Sequence, residues 1–197
     1  ALIIGSLGAA VVGGHTVAIN IASVFFMLPL SIGLAAATRI GNLVGERNLK
    51  QAQYASYVTV IVCFAGACLN TICIYMLRDG LVSLYSNDIE VIAIAVNLLL
   101  FAAIFQIPDG LQMGALGSLR GYKDTFAPML MLIVTYWFIA LPVGYLLTYY
   151  GILGNPLGAA GIWIGMITGL VLFSILIIPR LNYTSNKFIL RANQEPL

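Results

Sequence analysis

An all-α, polytopic membrane helix bundle is the fold class this sequence predicts, and three observations carry the prediction. Only 8% of the 197 residues are charged, 61% are hydrophobic and the mean hydropathy is +1.01, whereas about a quarter of a soluble domain is charged. Uncharged stretches run over 1–38, 51–77, 91–108 and 125–179, each long enough for one or two helices of about 20 residues. Strand-length runs that alternate apolar and polar residues are missing, which argues against a β-barrel.

The pattern resolves into one six-helix lobe with a truncated first helix. The chain opens on Ala-Leu-Ile-Ile with no methionine and no basic n-region, so 1–10 reads as the tail of a helix rather than as a signal segment. Gly13-Gly14 then reads as a tight turn. Helices follow over about 15–45, 52–77, 90–119, 125–149 and 157–178. The chain divides into a transmembrane lobe over 1–182 and a cytoplasmic tail over 183–197.

The helix of about 15–45 carries a polar stripe. At about 100° per residue, Thr16, Asn20, Ser23, Met27, Ser31, Thr38 and Asn42 fall within about 60° of one another. Such a stripe serves either helix-to-helix hydrogen bonds or the wall of a water-lined cavity, and Asn20 and Met27 are its candidate cavity residues. Pro29 has no N–H and crowds the preceding turn, so it frees the carbonyl of Phe25 and bends the helix. His15 lies about 140° from Asn20 and reads as a packed or interfacial residue rather than a proton acceptor.

In the next helix Cys63, Cys68 and Cys73 are five apart. That spacing fans them around the axis and makes neither a metal site nor a disulfide frame, so they read as small core residues. The helix of about 157–178 has Gly161, Gly165 and Gly169 at every fourth position, a spacing that lets two backbones approach closely. Asn182-Tyr-Thr matches a glycosylation acceptor, but on the cytoplasmic side it would not be used.

Orientation follows the bases. Arg39, Arg47 and Lys50 flank one loop, Arg120 and Lys123 another, and Arg180, Lys187 and Arg191 mark the carboxyl end, while the alternate loops carry only Arg78. The positive-inside rule places the carboxyl terminus in the cytoplasm. A net charge of +2 suggests no nucleic-acid partner, so membrane lipid is the expected surrounding partner.

The informative element is the helix of about 90–119. Asp109 stands behind Pro108 and between Gln106 and Gln112, in a run that is uncharged from Val91 to Leu119 apart from this carboxylate. Phe105, Gln106, Gln112 and Met113 lie within about 60° of it, and Ala103, Gly110, Gly114, Gly117 and Gly121 form a second stripe. Asp109 is about 16 Å along the axis from Arg120, near the middle of a hydrocarbon core of about 30 Å. A lone carboxylate at that depth is costly and invites a proton or a cation as partner. Pro108 frees the carbonyl of Ile104 one turn earlier, a possible hard oxygen ligand for a small monovalent cation. Asp109, the Ile104 carbonyl and Gln106 are thus the candidate groups for binding a small monovalent cation. Gln112 and Met113 join Asn20 and Met27 as candidate cavity residues, and Pro29 and Pro108 are the candidate bends. A structural aspartate satisfied by neighbouring helices is the alternative.

No HExxH, GxSxG, Walker motif or Cys/His cluster occurs, so enzymatic chemistry and a bound cofactor are not expected. The run GHTVAINIASVFFMLPLSIGLAAATRIGNLVGE over 14–46 resembles the eighth helix of multidrug and toxic compound extrusion (MATE) transporters of the NorM type. QIPDGLQ over 106–112 and GSLRGYKD over 117–124 resemble their tenth helix and the loop after it. The likeness covers essentially the whole chain up to the tail.

The resemblance implies the carboxyl-terminal lobe of a twelve-helix transporter in the bacterial inner membrane, entered part-way through helix seven. It further implies exchange of sodium ions or protons for small cationic or aromatic drugs. Asp109 matches the acid implicated in cation binding, and the expected partner is the missing amino-terminal lobe. The family's carboxylate on helix seven has no counterpart here. Phe105 stands where relatives often carry a tyrosine, which leaves sodium against proton coupling open. A lipid-linked sugar flippase and a non-transporting membrane scaffold are the alternatives.

Overall fold

In a computed structural model the described residues are 5–150 and 155–194. Among them five helices are long and apolar enough to cross a membrane, and none of them forms a strand. After a 3₁₀ turn at Gly5–Leu7 come α1 (Ala9–Gly45), α2 (Leu49–Ser83) and α3 (Ile89–Gly121). A fourth rod joins α4 (Phe126–Ile133), a π-helical segment (Val134–Ala140) and α5 (Leu141–Tyr149), and α6 (Ala159–Gln194) closes the chain. The molecule is an integral membrane helix bundle.

The centre is α3, which packs against α1, α2 and α6. One core cluster gathers Ile21, Ile74, Leu99 and Trp163 from four helices, and a second gathers Ile40, Leu119, Tyr122 and Phe173. Asp88 caps α3, its carboxylate accepting from the backbone N–H of Glu90 at 2.9 Å, as a good N-cap residue does.

Two expectations change. The predicted tail of a helix over 1–10 lies partly outside the described residues, and Gly13-Gly14 is not a turn but part of α1. The pair is small because α3 is close: a methyl on Gly14 would stand 2.6 Å from Ile94 Cγ2. The last helix does not stop at 178, since α6 runs on through Pro179 to Gln194. Residues 183–194 are therefore helical. The glycine stripe of α3 meets two helices. Gly110 and Gly114 face Cys63 and Val60 of α2, and Gly117 and Gly121 face Gly33 and Ile40 of α1. On α6, Gly165 meets Ala140 and Gly144 of the fourth rod, the close approach that the spacing predicts.

Carbonyls near both helix-interior prolines accept hydrogen bonds from neighbouring helices. The Phe25 carbonyl, which Pro29 leaves without a helical partner, accepts from Asn70 Nδ2 of α2 at 2.8 Å. Gln106 of α3 is fully buried; its Nε2 donates to the Ala22 carbonyl at 3.2 Å and its Oε1 accepts from Asn70 at 3.5 Å. A buried polar triangle thus ties α1, α2 and α3 together beside Pro29. Beyond it the Pro108 carbonyl accepts from Ser174 Oγ of α6 at 3.0 Å.

The fourth rod changes pitch midway. Pro142 cannot donate to the preceding turn, and a local π adjustment is one way a membrane helix accommodates this. The π segment ends two residues before that proline.

Candidate functional site

A groove of about 360 Å³ opens between α1, α3, the π segment and α6. From α3 it takes Phe105, Asp109 and Gln112, at positions i, i+4 and i+7, which a helix stacks on one face. From α1 it takes Ile19, Ala22, Ser23 and Phe26. The π segment contributes Tyr136, and α6 contributes Trp163 and Met166. The wall is aromatic and apolar apart from Ser23, Asp109, Gln112 and the Tyr136 phenol.

Asp109 is 3% exposed and its Oδ1 accepts from Gln112 Nε2 at 2.6 Å. Three residues apart on one helix, the two side chains meet without help from a neighbouring element. The other Gln112 atom, Oε1, is buried with no partner. A buried amide oxygen without a partner next to a buried carboxylate leaves unmet hydrogen-bonding capacity at this point of the groove wall. Among the described residues no cluster of three or more His, Cys, Asp or Glu is placed to hold a metal, so any ion here would rely on one acid and neutral oxygens.

The structure separates the other candidates. Gln106 does not line the groove but turns into the triangle with Asn70 and Ala22. Ile104 lies outside the groove wall with its side chain 52% exposed. Met113 is buried and also outside the wall. Asn20 and Met27 are exposed on α1, beside the groove rather than in it. They belong to a stripe whose members Thr16, Asn20, Ser23, Met27, Ser31, Thr38 and Asn42 are all exposed. The Thr16, Ser23 and Ser31 hydroxyls donate to backbone carbonyls four residues back, at 2.7–2.8 Å. The stripe therefore makes no bond to this lobe's other helices through those hydroxyls.

Ile19, Ala22, Phe26, Tyr136, Trp163 and Met166 line the groove without having been singled out from the sequence. Tyr136 arrives because the π segment changes the turn on which it sits, and Pro142 was the available signal. Trp163 is 2% exposed and packs edge-on against Phe105 and His15, at centroid distances of 6.1 and 6.0 Å. Nothing in the local pattern of α6 marks it, because the glycine spacing there describes the opposite contact. His15 is packed, 6% exposed, with Nδ1 unpartnered.

Comparison with known proteins follows from this geometry. The family model described as MatE matches residues 1–146. The chain is 39% identical to multidrug resistance protein PmpM of Pseudomonas aeruginosa, over 96% of this chain and 40% of that protein. It is 42% identical to multidrug resistance protein NorM of Vibrio vulnificus, over 86% of this chain and 37% of that protein. It is 38% identical to multidrug resistance protein MdtK of Pectobacterium atrosepticum, over 93% of this chain and 40% of that protein. The crystal structure of a eukaryotic MATE transporter, AtDTX14, superposes with a TM-score of 0.82 at 21% identity, over 92% of this chain and 41% of that one. The chain spans about two fifths of the length of the curated relatives it matches.

Proposed function

We propose the function from this premise: the chain belongs to the MatE family. Its relatives are named for multidrug resistance and its fold is that of a transporter lobe, so the chain is not an enzyme. We infer that it forms the carboxyl-terminal lobe of a multidrug antiporter. Entry of a sodium ion or proton drives a cationic, aromatic drug outward across a bacterial inner membrane, with the end of α6 in the cytoplasm.

The observation that carries this reading is the Asp109–Gln112 pair in the wall of an aromatic groove. Gln112 can serve two states of its neighbour. With Nε2 turned to the carboxylate it supports the ionised form, and after a half-turn its orphaned Oε1 would accept from a protonated Asp109. A sodium ion would instead sit between the carboxylate and that oxygen. Phe26, Phe105 and Tyr136 offer faces for a flat cation, backed by the buried Trp163, and the Met166 thioether adapts to varied shapes.

Loss of the Asp109 charge changes what the groove holds well. Movement of α3 about Pro108 is transmitted to α6 through Ser174, and to α1 through the Gln106 and Asn70 triangle. Coupling requires the ion to bind the two conformations with different affinity; equal affinity shifts nothing. The exposed stripe carrying Asn20 and Met27 is the face assigned to the cavity shared with the other lobe. The sugar-flippase reading asks for cavity arginines, and no groove-lining residue is one.

The test is ethidium efflux driven by a sodium or pH gradient, in cells making the full-length protein with Asp109→Asn. Ethidium binding is expected to persist while the gradient loses its effect. Unchanged gradient-driven efflux would remove Asp109 from the mechanism.

A further inference from the structure

We propose that the basic end of the bundle holds a binding site for the phosphate of an anionic phospholipid. Between the α3–α4 turn and the last turns of α6 lies a cavity of about 210 Å³, whose charged lining is Lys123, Asp124, Arg180, Lys187 and Arg191. Four cations face a single acid, and that acid is already engaged. Asp124 Oδ2 accepts from Arg180 Nε at 2.7 Å and from Thr184 Oγ1 at 2.7 Å. The pair occupies one N–H of a guanidinium that carries five, so Arg180 is oriented by Asp124 and keeps donors for an anion. Arg180 and Lys187 also stand 5.5 and 5.7 Å from the centre of the exposed Tyr183 ring.

The backbone supplies an independent observation. Lys123 has φ 61 and Arg47 has φ 59, a left-handed conformation that a residue with a Cβ adopts only at a cost. Each sits in a helix-ending turn of the same type, Arg47 after α1 and Lys123 after α3. The N–H of Asp124 reaches the Leu119 carbonyl at 2.9 Å, and that of Asn48 reaches the Leu43 carbonyl at 2.9 Å. Glycine is the usual residue at this position, yet each turn holds a base there. Arg47 lines a second cavity of about 250 Å³ that shares Arg191 with the first, so the two turns and the end of α6 form one basic surface.

Depth selects a lipid over a soluble anion. Counting from Ala159, Arg180 lies about 32 Å along α6, at the edge of a hydrocarbon core of about 30 Å. Lys187 and Arg191 lie about 10 and 16 Å further along the helix. Phe126, two residues past Asp124, is 68% exposed, and Leu176, one turn before Arg180, is 44% exposed. Phosphate above and apolar chain below is the order of groups in a phospholipid. Basic pockets at the cytoplasmic ends of membrane helices recognise such headgroups, and the choice of leaflet rests on the orientation proposed above.

The experiment measures binding of fluorescent phosphatidylglycerol to the full-length protein in phosphatidylcholine nanodiscs. Each base near an anionic surface contributes about fivefold to affinity, so Lys187→Gln with Arg191→Gln is expected to weaken binding by about 25-fold. Arg78→Gln, at the opposite end, is expected to leave it unchanged. Lys123→Gly separates binding from folding: it should raise the thermal midpoint while weakening phosphatidylglycerol about fivefold. Equal binding by the double variant and the parent would overturn the proposal. So would displacement of phosphatidylglycerol by millimolar inorganic phosphate, which would make the site one for soluble anions.

Discussion

Replacing Asn70 by leucine tests whether the carbonyl that Pro29 leaves without a donor in α1 is served by a side chain of α2. Asn70 is 5% exposed and donates to Phe25 O at 2.8 Å and, more weakly, to Gln106 Oε1 at 3.5 Å. An interhelical hydrogen bond in a bilayer averages about 0.6 kcal/mol and reaches about 1.7. The Phe25 bond belongs near the upper figure, because Pro29 removes the backbone donor that would otherwise serve this carbonyl. Adding the long Gln106 bond, Asn70→Leu should cost about 2 kcal/mol.

The second arm supplies the missing donor. With Pro29→Ala, residue 29 gains an N–H that reaches Phe25 O within the helix, so the carbonyl is no longer orphaned when Asn70 is lost. In that background Asn70→Leu should cost less than about 1 kcal/mol, a coupling of about 1 kcal/mol. Reversible unfolding of the four full-length proteins in mixed micelles reads the cycle. Non-interacting sites add to within about 0.3–0.5 kcal/mol, so an Asn70→Leu cost equal in the two backgrounds within that margin would refute the link.

Two further outcomes follow from packing and charge. Gly117→Ala forces a methyl against the Gly33 backbone, whereas Gly80→Ala meets nothing within 4 Å. Overpacking costs about 2–3 kcal/mol and alanine's helix propensity returns about 1. Gly117→Ala should therefore lower the unfolding midpoint and Gly80→Ala should hold or raise it; a shared direction would contradict the α1–α3 contact. Burial pushes the Asp124 carboxyl up, but hydrogen bonds from Arg180 and Thr184 and the charges of Arg180 and Lys187 outweigh it and hold it below its usual 3.8. The stability it contributes is therefore present above about pH 4 and is lost as pH falls through the depressed value. Asp124→Asn should cost about 1–2 kcal/mol at pH 7, and the gap to the parent should close as pH falls through the depressed value; a gap independent of pH would sink this account.

Sequence by itself determined the solvent and the local pairs. Scarce charge in apolar stretches of helical length leaves only a membrane helix bundle, because bilayer core offers the backbone no other partner. Asp109 and Gln112 were legible as a pair because three residues on one helix meet whatever surrounds them. The orphaned Phe25 carbonyl was legible too, since it depends only on proline's missing N–H, and its partner Asn70 was not.

Tertiary structure decided what each face meets. A spread of about 60° about α3 is wide enough to straddle neighbours, so Gln112 enters the groove while Gln106 enters the contact with α1 and α2 and Met113 is buried. The same effect split the glycine stripe between α1 and α2, and made Gly13-Gly14 a close helix contact instead of a turn. Tyr136 reached the groove through a change of pitch, which breaks the regular period on which face assignments rest. Periodicity fixes directions about a helix's own axis, and only the packing of one helix on another says what lies in those directions.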